Sequence, residues 1–231
     1  MNVITLVSCN AGAGKSTLAA HLAVAALAAG HRCLLIDAAA QGPLATWHAR
    51  RLHDAPVVRS AERGIKQAVA AARLEGFDWV LIDTPASRWH AVSDAIEAAT
   101  LVVIPARASR FDLAAAYDTM KVVRAYNKPY AAVINAAPAK RDDREPIAVA
   151  SARAQLEKLH IPVWAGQITQ RTGLAIALAT GATVLETAPD SPAADEIAGL
   201  WWALSRSVAA VHRAGPHAMA DHDGDMPAQA A

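Results

Sequence analysis

The sequence predicts an α/β protein, a mostly parallel β-sheet covered by helices on both faces. Three observations lead there. Apolar runs alternate with helical stretches along most of the chain. The runs are continuous rather than alternating with polar residues, as in strands buried on both faces. A Gly-rich turn ends the first run and a carboxylate ends two later ones, and ligands of such sheets bind beyond the C-terminal strand ends.

The elements follow in order. "NVITLVS" reads as a first strand, and an Ala/Leu run at helical spacing gives a helix over 15–29 that stops at Gly30. His21 interrupts that run, which is short for a bilayer and reads as a helix packed in the core. "RCLLID" and "APVVR" are the next strands, with helices over 43–52 and 62–75. "DWVLID", "LVVIP" and "YAAVIN" follow, separated by helices over 87–98 and 111–126. A helix over 146–159, a last strand "IPVWAG" and helices over 172–180 and 193–213 complete the pattern. Residues 1–213 are expected to form a single domain. The tail "AGPHAMADHDGDMPAQAA" (214–231) lacks periodicity and apolar bulk and reads as disordered.

The 231 residues are 54% hydrophobic and 19% charged, enough to bury a sizeable core. A formal net charge of +1 gives no global case for nucleic acid, so any such binding must use a local patch. Two cysteines, Cys9 and Cys33, make neither a disulfide framework nor a zinc pattern. Their place in or beside buried strands fits a reducing cytosol. Met1 runs directly into the first strand, so no signal segment is expected. The expectation is a cytoplasmic protein without integral membrane association.

The stretch "SCNAGAGKST" carries the chemistry. A strand, a Gly-rich turn and a helix N-terminus together aim unpaired N–H groups and a positive dipole end at one concavity, a natural seat for phosphate. Gly12 and Gly14 permit backbone conformations that a side chain would block. Lys15 offers a mobile cation to the outer phosphates, and the Ser16 hydroxyl can ligate Mg²⁺. The strict phosphate-loop pattern wants Gly at the position of Cys9, so it fails there while its physics at Gly14-Lys15-Ser16 survives. An ordinary Gly-containing turn is the bland alternative. Asp37 and Asp83 each end a strand, where a carboxylate can hold Mg²⁺ directly or through water. Either alone could be a helix cap; both beside GKST point to a nucleotide site.

These segments resemble the ParA/MinD family of deviant Walker-type P-loop ATPases. "AGAGKST" is similar to that family's KGGxGK[ST] loop, "LLIDAAAQGPLATW" to its DxDPQG segment and "VLIDTPA" to its DxPP segment. "LVVIPARASRFDLAAA", "AAVINAAP" and "QRTGLAIALATGATVLE" then follow in family order, so the resemblance covers about residues 2 to 205. It implies a P-loop NTPase fold, ATP and Mg²⁺ as cofactors, and an ATP-dependent homodimer that positions or partitions a plasmid, chromosome or protein cluster. Nonspecific nucleoid DNA and a stimulating partner or cargo adaptor belong to the same expectation. Nucleotide contacts are implied for Asn10, Ala11, Gly12, Ala13, Gly14, Lys15, Ser16, Thr17 and Asn135, with Ser16, Asp37 and Asp83 around the metal. Lys15 and Asp37 are the residues expected to carry catalysis.

Two departures matter. The family's first lysine, which reaches across the dimer to the partner's nucleotide, aligns with Asn10, and the second Asp of DxD, which orients water, aligns with Ala39. The groups matching the grip remain, and the two matching the hydrolytic trigger are gone. Slow, partner-dependent or absent hydrolysis is therefore expected. Lys140 and Arg141 in "AKRDDR" offer replacement cations. A non-hydrolysing ATP-binding scaffold and a metabolic ATP-dependent ligase are the competing readings. An iron-protein-like reductase lacks the cysteines for a shared cluster.

Asn135 is either an adenine contact or a turn-forming residue. Residues 121–158 hold eight basic side chains, Lys140 and Arg141 among them, against four acidic ones. They could track a phosphate backbone, as could Arg171, although a mixed solvated face is the plainer reading and the next helix opens with Asp195-Glu196. Trp201 and Trp202 cannot both face one core on a helix, so one is expected to pack and the other to lie outside. His217 and His222 of the tail could bind metal, although a solvated tail is the simpler reading.

Overall fold

The computed structural model describes residues 1–39, 41–86, 89–142 and 144–214. Six strands, β1 (Asn2–Leu6), β2 (Cys33–Asp37), β3 (Val57–Ser60), β4 (Trp79–Asp83), β5 (Leu101–Ala106) and β6 (Tyr130–Ile134), form one sheet in the order β3-β2-β4-β1-β5-β6. Every pairing is parallel. Nine helices occur among the described residues: α1 (Lys15–Ala28), α2 (Pro43–His48), α3 (Ile65–Leu74), α4 (Trp89–Ala98), α5 (Arg110–Ala125), α6 (Ile147–Lys158), α7 (Thr172–Ala179), α8 (Val184–Thr187) and α9 (Pro192–Ala214).

Successive side chains of a strand point to opposite faces, and here both faces are apolar. Ile4, Leu6, Leu35, Leu81 and Val103 pack on one side, against α1 and α9. Val3, Leu34, Ile36, Val80 and Ile82 face the other side, against α3 and α4, while Val102, Ile104 and Ile134 continue that face under α5 and α6. The central strand β1 lies between β4 and β5, where the chain order reverses. A crevice therefore opens above its C-terminal end.

Helix α1 is buried along most of its length, as a helix apolar on all sides must be. His21 sits fully inside it, its Nδ1 donating to the Thr17 carbonyl at 2.8 Å. Trp201 packs into the core against Trp79, their ring centroids 4.7 Å apart, while Trp202 is exposed beneath the Arg206 guanidinium. One indole is therefore inside and one outside, as the helical spacing requires. Among the described residues, no helix is long and apolar enough to cross a membrane.

The sequence reading and the structure part in three places. The expected strand "IPVWAG" is not a strand: only a bridge between Val163 and Ala132 forms, because Pro162 has no N–H to donate to a ladder. Its carbonyl accepts from the Ala132 N–H at 2.7 Å, and the Trp164 N–H donates back to the Ala132 carbonyl at 3.0 Å. Helix α2 stops at His48 rather than residue 52, and Arg51 instead reaches across to Glu186. Helix α8 has no counterpart in the sequence reading, although Thr183 and Glu186 form a reciprocal capping box that is legible as Thr-x-x-Glu. The tail beyond Ala214, with His217 and His222, lies outside the described residues.

Candidate functional site

Residues 7–14 leave the end of β1 and turn into α1. Gly12 (φ 75°) and Gly14 (φ 91°) both occupy left-handed backbone, and Gly14 is the N-cap of α1. No acidic residue occupies the first turn of α1, so its free N–H groups remain available to an anion. Asn135, from the end of β6, fixes the loop from the side. Its Nδ2 donates to the Ala13 carbonyl at 2.7 Å and lies so close to Gly14 that a Cβ there would meet it at 2.1 Å. The turn therefore needs glycine at 14 for two reasons, backbone conformation and room for an amide.

Lys15 is buried at 8% exposure, with Nζ 3.5 Å from the Asn10 carbonyl. Burial pulls its pKa below the usual lysine value, opposed by the carboxylate of Asp83. The Ser16 hydroxyl donates to Asp83 Oδ2 at 2.5 Å. Asp83 is completely buried and its Oδ1 has no partner. Burial is the chief cause that pushes its pKa up to about 6, with nearby Asp37 adding to the shift and Ser16 and Lys15 opposing it. A desolvated, half-satisfied carboxylate beside a serine hydroxyl fits a hard divalent cation. Mg²⁺ would be held by Ser16, with Asp83 aimed at it directly or through water, and would supply charge compensation for phosphate oxygens.

Asp37 stands beside Asp83 in the β2–β4 register but has different partners. Its Oδ2 accepts from the N–H groups of Leu44 (2.8 Å) and Ala45 (3.1 Å), and its Oδ1 from Ala39 (3.2 Å). It ties the β2–α2 loop and the start of α2 together. Burial nonetheless leaves its pKa raised, with those three hydrogen bonds opposing.

A cleft of about 660 Å³ covers the loop, lined by Ala11, Gly12, Gly14, Lys15, Ser16, Thr17, Ala39, Asn135 and Arg171 among others. Its described lining carries three cations, Lys15, Arg107 and Arg171, and no carboxylate. Several expected site residues stand elsewhere. Ala13 is buried with its carbonyl taken by Asn135. The side chain of Asn10 does not line the cleft: Nδ2 donates to Asp112 Oδ1 at 2.8 Å, tying the loop to the start of α5. Lys140 and Arg141 are exposed in the loop after β6, outside the cleft lining. Arg171 lines the cleft but is paired with Glu196 at 3.2 Å, and Glu196 also accepts from the Thr169 N–H and hydroxyl at 2.7 Å each. Glu196 thus faces inward rather than presenting an acidic helix face. Sequence reasoning missed Arg107, Gln41, Thr84 and Thr169 of the lining. The signal for Arg107 was its position directly after β5.

A phosphate seat on a central strand of a parallel sheet, with Lys15 and Ser16 opening the helix and Asp83 behind them, defines a P-loop protein of the ParA/MinD class. Within that class the chain belongs to the VirC1 family, whose model, described as "VirC1 protein", matches residues 1–175. Among curated proteins it resembles "Maintenance of carboxysome distribution protein A" of Gloeobacter kilaueensis, with 32% identity over 119 residues. That match spans about half of each protein, 51% of this chain and 55% of the relative. The fold matches the apo McdA structure from "Cyanthece" with a TM-score of 0.71 at 18% identity, covering 88% of this chain and 99% of that one. It also matches the septum site-determining protein MinD of Pyrococcus horikoshii complexed with Mg-ADP, with a TM-score of 0.68 at 17% identity over 91% and 98%.

The raised pKa of Asp83 predicts a trade-off. A carboxyl held protonated by the fold contributes stability below about pH 4, and that contribution is lost as pH rises through about 6. Asp83→Asn should therefore stabilise the metal-free protein by about 2–3 kcal/mol at pH 8 and by little at pH 4. The same change should remove Mg²⁺-dependent stabilisation by nucleotide. Thermal melts at both pH values check it, and a variant less stable than wild type at pH 8 contradicts it.

Proposed function

We propose that this protein is a ParA-like nucleotide switch: it binds Mg·ATP in the cleft over residues 11–17, dimerises with ATP, and positions or partitions a cargo. The observation that carries this reading is the cleft itself, with three cations and no acid in its described lining, above a serine–carboxylate pair suited to Mg²⁺. Thr17 and the N–H groups of the loop complete the phosphate seat, and Asn135 closes the side on which a base would lie. The carboxysome-distribution relative and the septum site-determining neighbour are named for two tasks of positioning, which supports this reading. Hydrolysis is slow or partner-stimulated in this reading, because Asn10 is held by Asp112 and Ala39 offers no acceptor for water. Nonspecific nucleoid DNA is the proposed surface, with Lys140 and Arg141 in their exposed loop as its contacts. Arg171, occupied by Glu196, is the weaker third. An adaptor that couples the dimer to its cargo completes the scheme, in the cytoplasm and on the nucleoid.

The test is assembly. Light scattering should give a monomer without nucleotide and with ADP, and a dimer with Mg·ATP. One mass in all three states overturns the switch while leaving simple nucleotide binding to be measured by calorimetry.

A further inference from the structure

We propose that Arg107 is a second phosphate-contacting cation of the cleft, supplied from the end of β5 within the same chain, gripping the outer phosphates of a nucleoside triphosphate. The proposal rests on the nucleotide reading above and adds a residue to it. Three cations line the cleft, and they differ in what already neutralises them. Lys15 faces the buried carboxylate of Asp83, and Arg171 is paired with Glu196. Arg107 is exposed, and no carboxylate among the described residues pairs with it. Its hydrogen bond goes to the phosphate loop: one terminal guanidinium nitrogen, Nη2, donates to the Gly12 carbonyl at 2.7 Å.

That single bond leaves the rest of the planar fork free beside the loop. Arginine presents five N–H donors in fixed geometry and matches phosphate oxygens two at a time. The carbonyl of Gly12 acts as an anchor that holds the guanidinium next to the anion seat. The order of the contacts sets which phosphates it meets. Lys15 Nζ lies at the Asn10 carbonyl, at the beginning of the loop, and Gly12 is the next glycine along. A lysine of such a loop serves the outer phosphates, so a cation anchored between Asn10 and Gly14 meets the same end of the ligand. The nearest alternative, Asn10, is uncharged and spent on Asp112.

The experiment is calorimetry on the full chain with Mg·ATP and Mg·ADP for wild type, Arg107→Ala and Arg107→Lys. Arg107→Ala should lose about ten- to a hundredfold in ATP affinity and several-fold less in ADP affinity, and Arg107→Lys should recover part of the ATP loss. Because the side chain is exposed, the melting temperature without nucleotide should stay at the wild-type value. ATP affinity within twofold of wild type in Arg107→Ala overturns the proposal. Equal losses for ATP and ADP also overturn it, since Arg107 would then be only a brace for the loop at Gly12. A wild type that binds neither nucleotide overturns the functional reading itself, a failure seen before any variant is compared.

Discussion

Replacing Lys15 with alanine should weaken Mg·ATP binding by about a hundredfold or more, the largest single effect expected in the protein. The side chain is buried beside the anion seat, with the Asn10 carbonyl 3.5 Å away and the Asp83 carboxylate acting on its charge. A triphosphate brings the negative charge that this desolvated ammonium lacks, and the pairing is strong because the site excludes water from the lysine stem. Removing the ammonium leaves Asp83 without its nearest compensating charge, so Mg²⁺ dependence should rise as affinity falls. Calorimetric titration decides it. An ATP affinity equal to that of wild type would place the nucleotide site away from this loop.

The second large effect concerns turnover. Asn10→Lys combined with Ala39→Asp should hydrolyse ATP faster than either single variant, by about a hundredfold over wild type, and more than additively in activation free energy. Ala39 lines the cleft, so an aspartate there places an acceptor near an attacking water but adds negative charge beside the terminal phosphate. Asn10→Lys supplies the compensating cation, yet without the acceptor at 39 it leaves the attacking water unoriented. Single-turnover assays of the four proteins test the pair as a unit. Wild type turning over as fast as the double variant would mean that another cation has taken the role, with Lys140 the first to replace.

Much of this was legible because strand periodicity and strand-end chemistry are local. All six strands, the left-handed glycines at 12 and 14, and the positions of Lys15 and Ser16 at a helix start and of Asp83 at a strand end each follow from their immediate sequence neighbours, although Ser16 and Asp83 meet across 67 residues. What escaped depends on long-range partners. Asp37 and Asp83 look alike in sequence, each closing an apolar strand, but the β2–α2 loop folds three N–H groups onto the first and leaves an oxygen of the second bare. Asn135 could be either a base contact or a turn residue on sequence grounds, and no local signal says that its amide latches a carbonyl 122 residues away. Ile161, Val163 and Trp164 are strand-favouring residues, yet Pro162 between them limits the segment to a bridge, a breaker overlooked in the pattern.

Helix α9 joins the two ends of the sheet. Near its start, Glu196 braces the cleft wall through Thr169 and Arg171, and near its finish His212 Nε2 meets the Asn2 side chain at 2.8 Å, at the opposite rim. Twenty-three residues make it about 35 Å long. A reporter domain joined after Ala214 would leave from the His212–Asn2 end of the helix rather than from the Glu196 end that braces the cleft wall. Fluorescent tracking or surface tethering through that end leaves the cleft and its rim open to solvent.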